Sequence, residues 1–360
     1  MSQNPYLTLD AKAFWSPAVA KRNLFDIQDL WEAPFPIDPK TVIATYGSCF
    51  AQHFSNALVK RGFTWLDAEV APMGLYKTNA KKFNYGVFSA RTGNIYATSL
   101  LKQWTKWALG HSEPPEIYWE ADERFYDPFR PQIEPNGFNS RDEMLASRAF
   151  AIKSFRRSIL ESDLFVFTLG LTESWWDKIT GAEFPMCPGT VAGDFDAEQH
   201  VFSNQDYDFV YSNLKDAIQM IREARPEGPS ILLTVSPVPL TATNSGNHVL
   251  VATMESKSVL RAVAGKVARE NENCSYFPSY EIINAPPYRA TFFEPNMRSV
   301  NLHGVDHVMK TFFSGLSKEY HVTLPANSER GKHRLPPEAF QSQLDIKCEE
   351  ELLAAFGDKK

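Results

Sequence analysis

The sequence predicts an α/β protein with a doubly wound parallel sheet and helices on both faces, in three α/β/α layers. Two observations carry this prediction. Apolar, β-branched runs of strand length alternate along the chain with segments of helical periodicity, which is the pattern of repeated strand–helix units. Hydrophobic residues also make up 43% of the 360 residues, enough to cover both faces of a sheet.

The first unit begins with the β-branched run at residues 41–46, which ends in Gly47, Ser48 and Cys49. The segment 50–61 then places apolar side chains at helical spacing. Strand, tight turn and helix in this order typically open a parallel α/β sheet.

The later units follow the same order along the chain. Helices are predicted at residues 140–160, 210–225, 256–270 and 304–313, and buried strands at residues 164–169, 231–235 and 274–277. The alternation of the two continues to the end of the predicted core.

Three of the predicted strands end in small or polar residues. The first ends at Ser48 and Cys49, the second at Thr172 and Glu173, and the third at Ser236. In doubly wound sheets the ligand binds at the carboxyl ends of the strands, so we expect these side chains to converge on one site.

The remaining segments are assigned from composition. Residues 1–40 are predicted to be an extension that packs on a core domain at residues 41–324, and residues 325–360 a polar tail with a helix at 336–356. Within the core domain, residues 64–140 form an aromatic-rich insertion. Its large aromatic side chains are expected chiefly to fill the core; they are Trp104, Trp107, Tyr118 and Trp119.

Charge and cysteine content restrict the function and the compartment. With 37 Lys and Arg against 43 Asp and Glu, the net charge is −6, which disfavours nucleic acid and anionic membranes as partners. No apolar run reaches the length of a membrane span, and residues 1–6 lack the pattern of a signal peptide. The four cysteines form no CxxC pair, so we expect a cytoplasmic protein without metal or other cofactor.

Several motifs resemble one known family in the same order along the chain. Residues 47–51 spell Gly-Ser-Cys-Phe-Ala, the motif for which the GSCFA family is named. Further blocks resembling that family lie at residues 84–86, 91–96, 168–173, 188–193, 233–239, 256–261 and 276–281. The resemblance covers roughly residues 40–315, and the family is in turn similar to the SGNH (GDSL-like) hydrolases.

The resemblance to SGNH hydrolases implies a nucleophile directly after the first strand. Their Gly-Asp-Ser block aligns with residues 47–49, which places Cys49 at the nucleophile; a shift of one residue would place Ser48 there instead. The resemblance also implies oxyanion-hole residues, Gly86 with Asn84 beside it and Thr172 in place of the usual asparagine. Gly47 in the turn, and Glu173 and Ser236 at the strand ends, complete the candidate oxyanion or substrate-binding residues.

The stretch that resembles the Asp-x-x-His block of the family carries neither residue. Asn296 stands in place of the aspartate and Ser299 in place of the histidine. The catalytic base is therefore expected from another histidine, either His248 in a polar loop or His307 in the predicted helix at residues 304–313.

Two functions follow from these residues and from the resemblance. The first is an esterase or O-acyltransferase that acts on a small-molecule ester, with a carbohydrate O-acetyl group as a candidate substrate. The second, which the missing Asp-x-x-His pair suggests, is a binding or scaffold protein that keeps the fold without the reaction. The sequence indicates no oligomeric state.

Overall fold

A four-stranded, all-parallel sheet forms the centre of the fold in the computed structural model, which describes residues 3–320 and 349–357. The strands are β1 (Ile43–Gly47), β2 (Trp119–Ala121), β3 (Arg124–Tyr126), β4 (Leu164–Leu169), β5 (Glu173–Asp177), β6 (Glu183–Phe184), β7 (His200–Asn204), β8 (Ser230–Val235) and β9 (Cys274–Tyr276). The helices are α1 (Ala51–Lys60), α2 (Lys77–Lys82), α3 (Thr98–Leu109), α4 (Arg141–Glu161), α5 (Tyr207–Ala224), α6 (Val249–Glu270), α7 (Ser279–Asn284), α8 (Leu302–Tyr320) and α9 (Ala354–Gly357). A 3-10 helix at Glu349–Leu353 precedes α9.

The strand order of the central sheet is β1-β4-β8-β9. Alternate residues of β4 enter different cores, because successive side chains of a strand point to opposite faces. Phe165 and Phe167 pack in the core with α3, α4, α5 and α6, whereas Leu164 and Val166 pack in the core with α1, α7 and α8. Helices therefore cover both faces, and the predicted three-layer α/β/α fold is confirmed.

The bounds of the core elements agree closely with the sequence prediction. Strand β4 has the predicted limits, and α4 begins directly after Ser140, whose hydroxyl accepts a hydrogen bond from the Glu143 N–H at 3.1 Å. Helix α6 begins earlier than residue 256, because His248 caps it at the preceding loop. Most of the helix predicted at residues 336–356 lies outside the described residues.

Besides the two-stranded antiparallel sheet of β2 and β3, a three-stranded antiparallel sheet of order β6-β5-β7 was not expected from the sequence. Strand β6 has only two residues, and the neighbouring Trp175 and Trp176 of β5 break the apolar–polar alternation by which a half-buried strand is recognised. This sheet follows directly from the end of β4 and so lies next to the predicted site.

The aromatic insertion mostly fills the core, as expected. Trp104, Trp107 and Trp119 are buried, whereas Tyr118 is exposed at the surface. Phe129, from the same insertion, packs edge-on against Trp107.

A buried carboxylate ties this insertion to α4. Asp127 accepts hydrogen bonds from Arg130 Nε at 2.7 Å and from Arg148 Nε at 3.0 Å, and all three side chains are almost completely buried. Arg148 also donates to the carbonyl oxygens of Pro115 and Ile117. Burial alone would raise the pKa of Asp127, but Arg148 and Arg130 hold it below its ordinary value.

A second buried carboxyl group has a raised pKa. Glu183 Oε1 accepts a hydrogen bond from Gln205 Nε2 at 3.2 Å, and the same amide group donates to Ser99 and Ser174. Burial raises the pKa of Glu183 to about 8, against the lowering effect of these polar neighbours.

Within the ranges that the structure describes, no helix combines the length and the apolarity needed to cross a lipid bilayer.

The Asp127 cluster makes a large contribution to stability. We expect Asp127→Asn to lower the free energy of unfolding by about 3–5 kcal/mol, because it leaves two buried guanidinium groups without their counter-charge. Urea unfolding measures this loss. Glu161→Gln, which breaks an exposed pair with Arg157, should lower stability by less than ~1 kcal/mol. Equal losses in the two variants would contradict the assigned role of Asp127.

The Glu183 side chain should make the protein less stable as the pH rises. From about pH 4.5 to about pH 8 the unfolded chain has lost this proton while the folded chain keeps it, so stability falls by up to ~1.4 kcal/mol per pH unit. Glu183→Gln should remove this dependence and be more stable than the wild type at pH 8. Thermal unfolding of both proteins between pH 5 and pH 9 tests it; parallel pH curves would show that Glu183 does not titrate in this range.

Candidate active site

The first side of the site is formed by a close approach of β1 to β4. Gly47 ends β1 with φ +128°, and a Cβ there would clash with the carbonyl oxygen of Thr168 and lie 2.7 Å from its nitrogen. Only glycine fits this position without displacing β4. The two strands therefore end side by side.

Ser48 follows at the end of this strand pair. Its N–H donates to the Thr168 carbonyl at 3.0 Å, and its carbonyl accepts from the Ala51 N–H at 2.9 Å. The side chain is 2% exposed, and Ser48 Oγ has no hydrogen-bond partner in the described part of the chain. Because α1 begins after Phe50 with no side-chain cap, the hydroxyl does not cap that helix.

Cys49 lies in the turn between Ser48 and α1. It is 6% exposed, its carbonyl accepts from the Gln52 N–H at 3.1 Å, and it forms no disulfide. Both nucleophile candidates are thus in the turn that sequence reasoning predicted, at the carboxyl end of the sheet.

The segment after β4 forms the second side of the site. Gly170 is so close to Ser48 that a Cβ on Gly170 would lie 3.2 Å from Ser48 Cβ. Thr172 is buried; its N–H donates to Ser256 Oγ at 3.1 Å, and its hydroxyl donates to Asn204 Oδ1 at 2.7 Å. The Thr172 hydroxyl proton is therefore used in a hydrogen bond within the protein and is not available to a substrate in this arrangement.

Lys257 of α6 was not singled out from the sequence. Its side chain is 2% exposed, and Nζ donates to the Gly170 carbonyl at 2.5 Å. The sequence does carry a signal, because Lys257 lies three and seven residues before Leu260 and Ala264, which are both buried on the apolar face of α6. A lysine on such a face is uncommon, since lysine is rarely buried without a partner.

The ends of β4 and β8 bring Glu173 and Ser236 to the same edge. Ser236 is buried, its N–H donates to the Leu169 carbonyl at 2.8 Å, and its Oγ accepts from the Val238 N–H at 3.3 Å. Glu173 is half-buried, and its carboxylate accepts from the Thr243 hydroxyl and from the Asn244 N–H. Burial raises the pKa of Glu173, and these two hydrogen bonds partly offset the rise.

A cavity of about 550 Å³ opens beside Glu173. Its wall includes Trp175 and Phe195, whose rings pack edge to face, together with Thr243 and, from α9, Phe356. This combination of aromatic surface and a few oriented polar groups is typical of small-molecule sites.

Asn84 and Gly86 lie in a left-handed turn after α2. Asn84 has φ +59°, and its Nδ2 donates to the Gln132 carbonyl at 3.0 Å, so the amide group is used to hold the insertion. Gly86 has φ +67°, and a Cβ there would meet no atom within 4 Å. Both residues therefore allow the left-handed backbone of this turn, independently of any contact with a substrate.

The two histidines that were expected as bases lie in different surroundings. His248 is exposed, and its Nδ1 accepts from the Leu250 N–H at 3.2 Å as the cap of α6. His307 lies on α8 among the rings of Phe25, Tyr288 and Phe292.

The His307 Nε2 atom is buried without a hydrogen-bond partner among the described residues. Burial, with a smaller effect of Lys310, lowers the pKa of His307.

Asn296 and Ser299, which the resemblance aligns with the Asp-x-x-His pair, form a closed turn. Asn296 Nδ2 donates to Ser299 Oγ at 3.0 Å, and Asn296 Oδ1 accepts from the backbone N–H groups of Arg298 and Ser299. The side chain of Arg298, from the same turn, forms ion pairs with Glu350 and Glu351. This turn thus connects the core to the segment at residues 349–357.

Over the described ranges, no group of three or more His, Cys, Asp and Glu side chains is arranged to hold a metal ion.

Comparison with known proteins identifies one family. The model of the GSCFA family matches residues 42–312, which is most of the chain. No curated protein matches the sequence.

The close approach at Gly47 should be highly sensitive to substitution. We expect Gly47→Ala to lower the free energy of unfolding by more than ~3 kcal/mol, because the new methyl group meets the β4 backbone and the φ angle is unfavourable. Gly110→Ala is the matched control, since its φ is +76° and a Cβ there meets nothing within 4 Å. It should lower stability by about 1 kcal/mol. Similar urea unfolding curves for the two variants would contradict the packing of Gly47 against Thr168.

Proposed function

The chain belongs to the GSCFA family, and from this premise we propose that it is an ester hydrolase or O-acyltransferase with its nucleophile in the turn after β1. Ser48 is the proposed nucleophile, and Cys49 beside it is the alternative. The reaction would take place in the cytoplasm on a small-molecule ester, without a cofactor.

The observation that carries this proposal is the buried, unpartnered hydroxyl of Ser48. A buried polar atom without a hydrogen bond lowers stability by roughly 1–3 kcal/mol, and such atoms call for a specific explanation. Ser48 directly follows β1, at the carboxyl end of a strand of the central sheet, where ligands of doubly wound sheets bind. A substrate at this edge would give the hydroxyl its missing partner.

The surroundings favour attack on an acyl carbon. Ser48 Oγ would form a bond to that carbon, and the resulting oxyanion would be close to the amino end of α1, a helix of ten residues. The partial positive charge of a helix amino end stabilises an anion there. The Ser48 N–H already donates to Thr168, so other donors would have to complete the oxyanion hole.

The cavity beside Glu173 is the proposed place for the rest of the substrate. Aromatic rings such as Trp175 pack well against the apolar face of a sugar, while Glu173 and Thr243 offer hydrogen bonds to hydroxyl groups. We therefore propose an O-acetylated carbohydrate as the first substrate class to examine. Glu173, Thr172 and Ser236 would then contact or position it.

One observation favours a binding protein as the second candidate function. Asn296 and Ser299 hydrogen-bond to each other where related hydrolases carry the aspartate and histidine of their catalytic machinery. A protein without a base would bind the ester and leave it unchanged. The cavity would serve either function.

Covalent labelling decides between these functions. We expect a small alkyl fluorophosphonate to label the wild type at Ser48 and to abolish p-nitrophenyl acetate hydrolysis. Ser48→Ala should lose both labelling and at least ~10³-fold in kcat/KM, because the bond-forming atom is gone. Peptide mass mapping identifies the labelled residue.

The control is Ser212→Ala, which removes an exposed serine on α5 and should leave hydrolysis unchanged. Labelling with iodoacetamide that is lost only in Cys49→Ala would transfer the nucleophile to Cys49. If neither reagent labels the folded protein above a denatured control, acyl transfer is wrong and the binding function takes its place.

A further inference from the structure

Lys257 carries a buried amine at the edge of the sheet, to which the proposed function assigns no role. Its side chain is 2% exposed, and Nζ donates to the carbonyl oxygen of Gly170 at 2.5 Å. The neighbouring Ser256 accepts the N–H of Thr172 at 3.1 Å. Two consecutive residues of α6 thus form hydrogen bonds to the segment that follows β4. These bonds fix the position of the Lys257 backbone relative to that segment.

Ser48 contacts the same glycine from another direction. A Cβ on Gly170 would lie 3.2 Å from Ser48 Cβ, closer than most Cβ contacts. Ser48 and Lys257 thus approach Gly170 from two sides, and no hydrogen bond joins Ser48 Oγ to Lys257 Nζ in this structure. Lysine has a long, flexible stem, and catalytic hydrogen bonds are often formed only when substrate is present.

Neither histidine candidate for the base is held beside Gly170 as Lys257 is. The His248 ring is exposed and caps α6 through Leu250. His307 packs among three aromatic rings on α8. The Asn296–Ser299 hydrogen bond occupies the place of the Asp-x-x-His pair.

We infer that Lys257 is the general base of the acyl transfer and that Ser48 and Lys257 act as a serine–lysine pair. This inference rests on the proposed function. In the first step, neutral Lys257 accepts the Ser48 hydroxyl proton as Oγ forms a bond to the acyl carbon. The ester C–O bond then breaks, and the lysine ammonium returns the proton to the departing alkoxide.

The second step regenerates the free enzyme, and its bonds and protons balance as in the first step. Water, or an acceptor alcohol in the transferase reaction, gives its proton to Lys257 and attacks the acyl-serine. The bond from the acyl carbon to Oγ breaks, and Lys257 protonates the released Oγ. No oxidant, reductant or metal enters either step.

Lysine acts as a base only when it is neutral, and burial favours the neutral form of an amine. Among the residues that the structure describes, the charged groups at this end of α6 include Glu173, Glu255, Arg298, Glu350 and Glu351. Burial raises the pKa of Glu350, while Arg298, the Thr241 N–H and the charge of Lys257 act against the rise. The Glu350 carboxylate therefore favours the ammonium form of Lys257 and should influence the pH profile.

A purely structural role for Lys257 makes a different prediction. If the side chain only holds the Gly170 carbonyl, arginine would keep the charge and the donor, and the reaction would continue. Arginine stays protonated at all working pH values, so it cannot be a general base. Lys257→Arg therefore separates the two roles.

The test measures the rate of fluorophosphonate labelling at Ser48 and of p-nitrophenyl acetate hydrolysis. We expect Lys257→Arg and Lys257→Met each to lose roughly 10²–10⁴-fold, the range for removal of a general base. The matched controls are Lys266→Arg and Lys266→Met on the same helix, where the lysine is partly exposed over Tyr211. They should keep the wild-type rate, and circular dichroism verifies that all four variants are folded.

A second measurement uses the pH profile. Glu350→Gln removes the carboxylate but keeps a hydrogen-bond acceptor for the Thr241 N–H. We expect its labelling rate to rise at lower pH than in the wild type, because the neutral lysine is then easier to form. This arm tests the inference even if both Lys257 variants fail to fold.

The outcomes separate this inference from the proposed function. Absence of labelling in the wild type would refute acyl transfer itself. Labelling at Ser48 that persists at the wild-type rate in Lys257→Arg would leave acyl transfer intact and overturn the role of Lys257. An unchanged pH profile in Glu350→Gln would also count against the lysine as the titrating base.

Discussion

The candidate site depends on the contact between the end of β1 and the backbone of β4. Gly47 has no Cβ, so β1 runs against Thr168 without a side chain between them. The pairing continues one residue further through the Ser48 N–H, which donates to the Thr168 carbonyl. Because of this pairing, Ser48 leaves the sheet beside Gly170, and α1 starts directly above the strand ends. A displaced β1 would separate the nucleophile candidates from every other residue of the site.

Helix α6 completes the arrangement from the opposite direction. Ser256 and Lys257 bind the N–H of Thr172 and the carbonyl of Gly170, so the segment after β4 is held by β1 on one side and by α6 on the other. The chain then turns into β5, whose first residue, Glu173, faces the large cavity. One continuous segment thus leads from Gly170, beside the nucleophile candidates, to Glu173 at the cavity.

The sequence alone predicts the parallel core well, because buried strands and amphipathic helices have strong local patterns. Strand β4 was predicted with its observed limits, and the positions of Ser48, Thr172 and Ser236 after the carboxyl ends of their strands follow from the pattern of buried strands. The antiparallel sheet and Lys257 were not predicted. Short strands lack a usable period, and the burial of a single lysine depends on which helix packs over Gly170, a contact between residues far apart in the sequence.

The amine of Lys257 at the Gly170 carbonyl is a second reason, beside the Ser48 hydroxyl, to look for a reaction here. The Gly170 carbonyl lies beyond the end of β4, so it needs a donor from elsewhere in the fold. A neutral amide such as glutamine could satisfy it without burying a charge, which is the more demanding choice. The charge of Lys257 also interacts with the Glu350 carboxylate, so a buried amine here has a counter-charge. An amine that holds the carbonyl and can also accept a proton is, in addition, what the proposed reaction at Ser48 requires.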